Sequence, residues 1–147
     1  MRRYLANVVA CLACLAVVPV GAQPVQSAAD LVQEVSRTAA AGDKVGHLAA
    51  YRKLAAFLAK DPDQHNVLGL IIKADMQRDI ARAAFAIDGQ DACSALDQGT
   101  AYLEQARTIQ ARGDETDEPE AIDDMERVLS RERRRMHRWP GIITCRE

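Results

Sequence analysis

Aromatic side chains are scarce in this chain: one Trp, three Tyr and two Phe, 4% of the residues. With Ala, Leu, Ile, Gln, Glu and Arg dominating instead, the composition disfavours strand and favours helix. Catalytic signatures are missing too. Neither H-E-x-x-H nor G-x-S-x-G occurs, which removes the usual zinc-hydrolase and serine-hydrolase layouts. His47, His65 and His137 are the only histidines, and no two stand at a metal-binding or catalytic spacing within one helix. Each is therefore read as a surface histidine. Asp61-Pro62-Asp63-Gln64-His65 starts like a calcium loop, but Asn66 stands where the loop needs Gly and Ile72 where it needs a bidentate Glu. A helix cap accounts for those aspartates better. The expectation is a protein with no metal, no cofactor and no enzymatic activity. There is no strong basic excess: the formal net charge is −2, which argues against a general nucleic-acid binder.

One long uncharged run is present, and it lies at the N-terminus. Arg2 and Arg3 precede an apolar stretch from Tyr4 to Val18, and Pro19-Val20-Gly21-Ala22 closes it with small residues. That is the three-part layout of a secretory signal peptide, with cleavage expected after Ala22. The run is too short, and too closely followed by Pro19 and Pro24, for a membrane span. Val8-Val9-Ala10-Cys11 resembles the lipobox of bacterial lipoproteins. Only Tyr4 to Asn7 separates it from the arginines, too few residues for the apolar core of a signal, so cleavage at Ala22 is preferred over lipidation at Cys11. The expected organisation is a signal over residues 1–22 and one helical domain over 23–147, in the periplasm or outside the cell. Losing Arg2 and Arg3 takes the basic count from 19 to 17 against 21 acidic residues, a net charge of −4. Cys11 and Cys14 leave as well, and the remaining Cys93 and Cys145 are expected to form one disulfide in an oxidising compartment. Its loop of roughly 50 residues would be worth about 4 kcal/mol in the chain-entropy model. A nucleophilic Cys93–His pair would require a reduced thiol, which export disfavours.

Five helices follow from the apolar periodicity. Ser27-Ala28-Ala29-Asp30 reads as a capping box, Leu31, Val32, Val35 and Ala39 recur at helical spacing, and Gly42 stops the first helix. Asp43 caps a second helix with Leu48, Tyr51, Leu54, Ala55 and Leu58 inward, ended by Asp61-Pro62. The third is expected to carry Pro62 in its first turn and to run to Ile87, with Asp88-Gly89 as the stop. Val67, Ile72, Ala74, Met76, Ile80, Ala81, Ala84, Phe85 and Ile87 cover well over half its circumference, so it should have neighbours on several sides. Asp91 is expected to cap the fourth helix, with Ala92, Leu96, Gly99, Leu103 and Ala106 inward and Gly113 at its end. An acidic connection, Asp114 to Glu118, leads to Pro119 at the start of a fifth helix that buries Ile122, Met125, Leu129 and Met136 and breaks at Trp139-Pro140-Gly141. The fold class expected is all-α: a compact bundle of about five helices built as helical hairpins, its C-terminal tail tied back by the disulfide. Gly42-Asp43 with Tyr51 and Pro62, and Gly113-Asp114 with Ala121-Ile122, are faintly similar to the second helix of a tetratricopeptide repeat. The Gly-to-Pro spacing is too long and the first-helix signature is missing, so only hairpin stacking is implied.

Two charged constellations remain as candidates. On the third helix Asp75, Arg78, Asp79 and Arg82 alternate in sign, and the plainer account is surface ion pairing between Asp75 and Arg78 and between Asp79 and Arg82. The functional account is a polar groove that holds a small anion through Arg78 and Arg82, with Lys73 on the apolar side extending its stem toward water. Exported chorismate mutases work with such charged residues in a helical fold, but their arginine-rich first helix has no counterpart between Ser27 and Gly42. On the fifth helix Arg127, Arg131, Arg134 and Arg138 are spaced by four, three and four residues and share the face opposite Ile122, Met125, Leu129 and Met136. Cations suit a helix C-terminus in any protein. With Trp139 at its end, the same stripe also suits docking to an acidic partner. Glu132 falls on the apolar face of that helix, and its simplest role is an internal pair with an arginine of a neighbour, Arg78 or Arg82. The leading expectation is thus a protein-binding module (an adaptor, an inhibitor or immunity-type protein, or an envelope accessory) with an acidic envelope or secreted protein as partner. A ligand binder or enzyme using the third helix, and a periplasmic stress chaperone, are the alternatives.

Overall fold

A computed structural model describes residues 27–60, 66–113 and 119–137, together with Cys145. Five helices follow in order: α1 Ala28–Ala40, α2 Lys44–Leu58, α3 Val67–Phe85, α4 Gly89–Ala111 and α5 Pro119–His137. The described residues contain no strand, and the molecule is an all-α bundle. The expected cleavage site and Cys11 lie outside the described residues, as do Pro62, His65, the 114–118 connection, Arg138 and Trp139.

The helix ends follow side-chain chemistry. The Ser27 Oγ accepts from the Asp30 amide at 3.2 Å, and the Ser27 amide donates to Asp30 Oδ2 at 2.9 Å, which completes the capping box. The Ser27 hydroxyl, which donates to Asp30 Oδ2 at 2.7 Å, and then the Ser27 amide hold the Asp30 carboxyl below its usual range. Gly42, at φ 67°, lets the chain leave α1 through a left-handed residue: its amide bonds Ala39 O, and the Asp43 amide bonds Thr38 O at 3.1 Å. Asp43 then caps α2 by accepting from the Gly46 amide at 2.9 Å.

Two boundaries differ from expectation. Helix α3 starts at Val67, capped by Asn66, whose Oδ1 accepts from the Gly69 amide at 2.7 Å, so Pro62 is not in its first turn. Helix α4 is capped by Asp88, not Asp91: Asp88 Oδ1 accepts from the Gln90 amide at 2.9 Å, and Gly89 is already helical. Asp91 instead pairs with Arg52 of α2 at 2.7 Å.

α3 and α4 form the central hairpin. α5 packs against both, α2 against α3, and α1 chiefly against α2. Leu70, Ala74, Ala81, Ala84, Ala92, Leu96, Leu103, Ala106, Ile122 and Leu129 make the core. Leu96, Leu103 and Ile122 are fully buried, each worth about 1.5–3 kcal/mol. Alanines at the α3–α4 contact let the two backbones approach. Gly99 is closely packed between α3 and α5, since a Cβ there would sit 3.2 Å from Leu129 Cδ1 and 3.4 Å from the Ala74 carbonyl. Cys93, near the start of α4, is bonded to Cys145, with their Cα atoms 5.2 Å apart, and so ties the tail to the bundle.

Some side chains depart from the expected faces. Val32, Ile72 and Ile87 are exposed. Val32 and Ile72 lie on helix faces with fewer neighbours than a periodicity count implies, and Ile87, expected in α3, sits in the turn after that helix ends at Phe85. Lys73, expected to reach water, is buried, and its Nζ stands 5.9 Å from the centroid of the Tyr102 ring. His47 is half-buried rather than superficial. Its Nδ1 lies 3.1 Å from the Val35 carbonyl and 3.2 Å from Thr38 Oγ1, and its ring meets Tyr51 edge-on at 4.8 Å. Donation from Nδ1 to that carbonyl ties α2 to α1.

Candidate functional site

The charged stripe of α3 folds into a continuous ionic chain. Arg78 Nη1 pairs with Asp75 Oδ1 at 2.7 Å, Arg78 Nη2 and Nε donate to Asp79 Oδ1 at 2.9 and 3.2 Å, and Arg82 Nη1 lies 4.0 Å from the same oxygen. Arg82 then crosses to α5 and donates through Nη2 to Glu132 Oε1. Partial burial raises the Asp75 carboxyl despite the neighbouring Arg78, and burial together with Asp79 raises the phenol of Tyr51 beside this chain. Asp75, Arg78, Asp79 and Arg82 come together, therefore, and pair mostly with one another, although Asp75 Oδ1 makes no aligned hydrogen bond among the described residues. Lys73 leaves the group and turns to Tyr102.

The α5 stripe is arranged differently. Arg127 is held locally, with Nη2 at 2.7 Å from Asp124 and Nε donating to the Asp123 carbonyl. Arg107 of α4 takes Asp123 and Glu126 at 2.7 Å each, and Arg133 reaches Asp97 at 2.8 Å, so these arginines bolt α5 to α4. The paired carboxylates raise the Arg107 guanidinium further above its already high value, with Glu126 the larger cause. Arg131 and Arg134 are exposed and have no ion-pair partner among the described residues. Arg134 also edges a groove of about 550 Å³ between α4 and α5, floored by Leu129 and Cys145.

Sequence reasoning anticipated the Glu132–Arg82 pair but missed the cavity around it. Lys44 from the start of α2, Arg82 and Phe85 from the end of α3, and Glu132, Arg135 and Met136 from the end of α5 line an open cavity of about 730 Å³. Glu132 was the available signal, an acid among apolar residues at the seven-residue spacing of Ile122, Leu129 and Met136. The Arg82 hydrogen bond, opposed by burial, holds the Glu132 carboxyl below its ordinary pKa, so it is ionised at neutral pH.

Among the described residues no group of three or more His, Cys, Asp or Glu could hold a metal ion, and no helix is long and apolar enough to cross a membrane. No family model matches the chain, and no curated protein and no solved structure matches it either.

Proposed function

We propose that this is a small exported helical protein that works by binding another protein, not by catalysis, and that it docks an acidic envelope or secreted partner on the outer face of α5. The observation that carries the reading is the state of Arg131 and Arg134. Both are exposed and lack an acidic partner among the described residues, while Arg82, Arg107 and Arg133 are consumed in bridges between helices. Arginine is a favoured interface anchor because its planar donors grip carboxylates bidentately. Arg127, Arg138 and Trp139 extend the same face in sequence, Trp139 as an apolar anchor at its end.

The test is affinity capture from the host's own envelope fraction, comparing the wild type with Arg131→Glu/Arg134→Glu. One stoichiometric partner, lost on charge reversal and weakened by salt, supports docking. Neither substitution removes a buried contact, so the variant should melt like the wild type. If no partner is captured, or the charge-reversed protein captures it equally well, the reading is wrong.

A further inference from the structure

The geometry points to a second, independent site: the cavity between α2, α3 and α5 binds an amino-acid-type ligand, a carboxylate with an N–H donor beside it and a large apolar side chain. The observation behind it is an oxygen without a donor. Glu132 is 5% exposed, and its Oε1 is taken by Arg82. Its Oε2 is buried and has no hydrogen-bond partner among the described residues, and Arg135 Nη1 stands 3.9 Å from it, beyond hydrogen-bond reach. A buried carboxylate oxygen left unsatisfied is costly, and native structures rarely tolerate one without a reason.

The rest of the wall says what the donor should be attached to. Beyond the Arg82–Glu132 pair, Lys44 and Arg135 add positive charge to the lining, so an anionic group is favoured alongside the donor. Arg135 is the natural seat for that anion, because its guanidinium is not hydrogen-bonded to Glu132 and lies directly beside Oε2. Met136 is buried and Phe85 half-buried, and one turn along α5 and α3 from Glu132 and Arg82 they add apolar surface to the same lining. Donor and anion are thus called for side by side with an apolar body behind them, as when all three groups sit on one carbon. The volume, about 730 Å³, falls within the range of roughly 300–1,000 Å³ common for small-ligand sites. A free apolar amino acid and the C-terminal residue of a peptide share this chemistry.

Calorimetric titration of the full chain tests the assignment with four probes. L-phenylalanine carries all three groups, 3-phenylpropionate lacks the donor, L-phenylalaninamide lacks the carboxylate, and N-acetyl-L-phenylalanine mimics a peptide C-terminus. L-phenylalanine or its N-acetyl form should bind, and the two analogues missing a group should bind at least about tenfold more weakly, the scale of one lost charged hydrogen bond. Arg135→Ala and Lys44→Ala, at exposed positions where the fold should survive, should each weaken binding severalfold. Glu132→Gln should erase the discrimination against 3-phenylpropionate. Stronger binding of L-phenylalanine assigns a free amino acid, and equal binding of the N-acetyl form a peptide terminus. If no probe binds, if all bind alike, or if Arg135→Ala and Lys44→Ala bind as the wild type does, water fills the cavity and the proposal is overturned. The α5 docking test uses a different face, so either proposal can fail alone.

Discussion

Replacing Arg82 by Met should destabilise the bundle by removing the one hydrogen bond that holds Glu132 among the described residues. The carboxylate would stay behind, 6% exposed by its side chain, with only Arg135 at 3.9 Å to face it. Breaking a buried ion pair from one side costs about 3–5 kcal/mol. The Arg82 side chain is 46% exposed, so water already screens that partner, and we take a loss of about 2–3 kcal/mol. For a chain of this size that corresponds to roughly 6–14 °C in Tm. The pH dependence has a definite sign. Glu132 has a folded pKa below its ordinary 4.5, so its contribution is full above that value and is lost as pH falls through the folded pKa. The gap between wild type and Arg82→Met should therefore be widest at neutral pH and close on acidification below about 4.5. Urea melts followed by far-ultraviolet circular dichroism measure it. The double variant Arg82→Met/Glu132→Leu should recover most of the loss, because two apolar side chains replace both charges. A single variant as stable as the wild type at neutral pH, or a double variant no better than the single, would refute the reasoning.

Reduction of Cys93–Cys145, which spans 52 residues, should lower stability by about 4 kcal/mol on the chain-entropy account, read from melts with and without reductant. Leu103→Ala, at a fully buried site, should cost about 3–4 kcal/mol in a urea midpoint assay. Gly46→Ala should not give the gain of about 1 kcal/mol usual for a helical glycine, because the new Cβ collides with the Asp43 carboxylate that caps α2. In an Asp43→Ala background the same change should stabilise, so the double-mutant cycle should be non-additive.

Much of the architecture was legible because local chemistry decided it. Ser27 with Asp30, Asp43, Gly42 and Gly113 act within a few residues of themselves, and all hold in the structure. The inward face of α5 was readable for a similar reason, since it packs along a single stripe in which Glu132 stood out. Errors arose where one residue had two jobs. Asp88-Gly89 reads as a helix stop, yet Asp88 closes α3 through its amide and opens α4 through its carboxylate, which frees Asp91 to reach Arg52. Lys73 was misread because nothing local reveals that Tyr102, on another helix, offers a ring to its ammonium. The cavity was illegible for the same reason. Lys44, Phe85 and Arg135 come from three helices, and only the angles between those helices bring them around Glu132.

The attachment of α1 has a kinetic consequence. Its described links run chiefly to α2: the His47 bridge to Val35 and Thr38, the Lys53–Glu34 pair at 2.8 Å, and the packing of Leu31. Among the described residues neither the His47 bridge nor the Lys53–Glu34 pair reaches the α3–α4 hairpin where the fully buried leucines sit. Opening α1 therefore exposes little of the core, and such a segment exchanges its amide hydrogens through sub-global opening instead of complete unfolding. Deuterium uptake should climb in steps along the chain, early in α1 and last across Leu96 to Leu103, so that the protein sheds its first helix while α5 stays packed on α3 and α4.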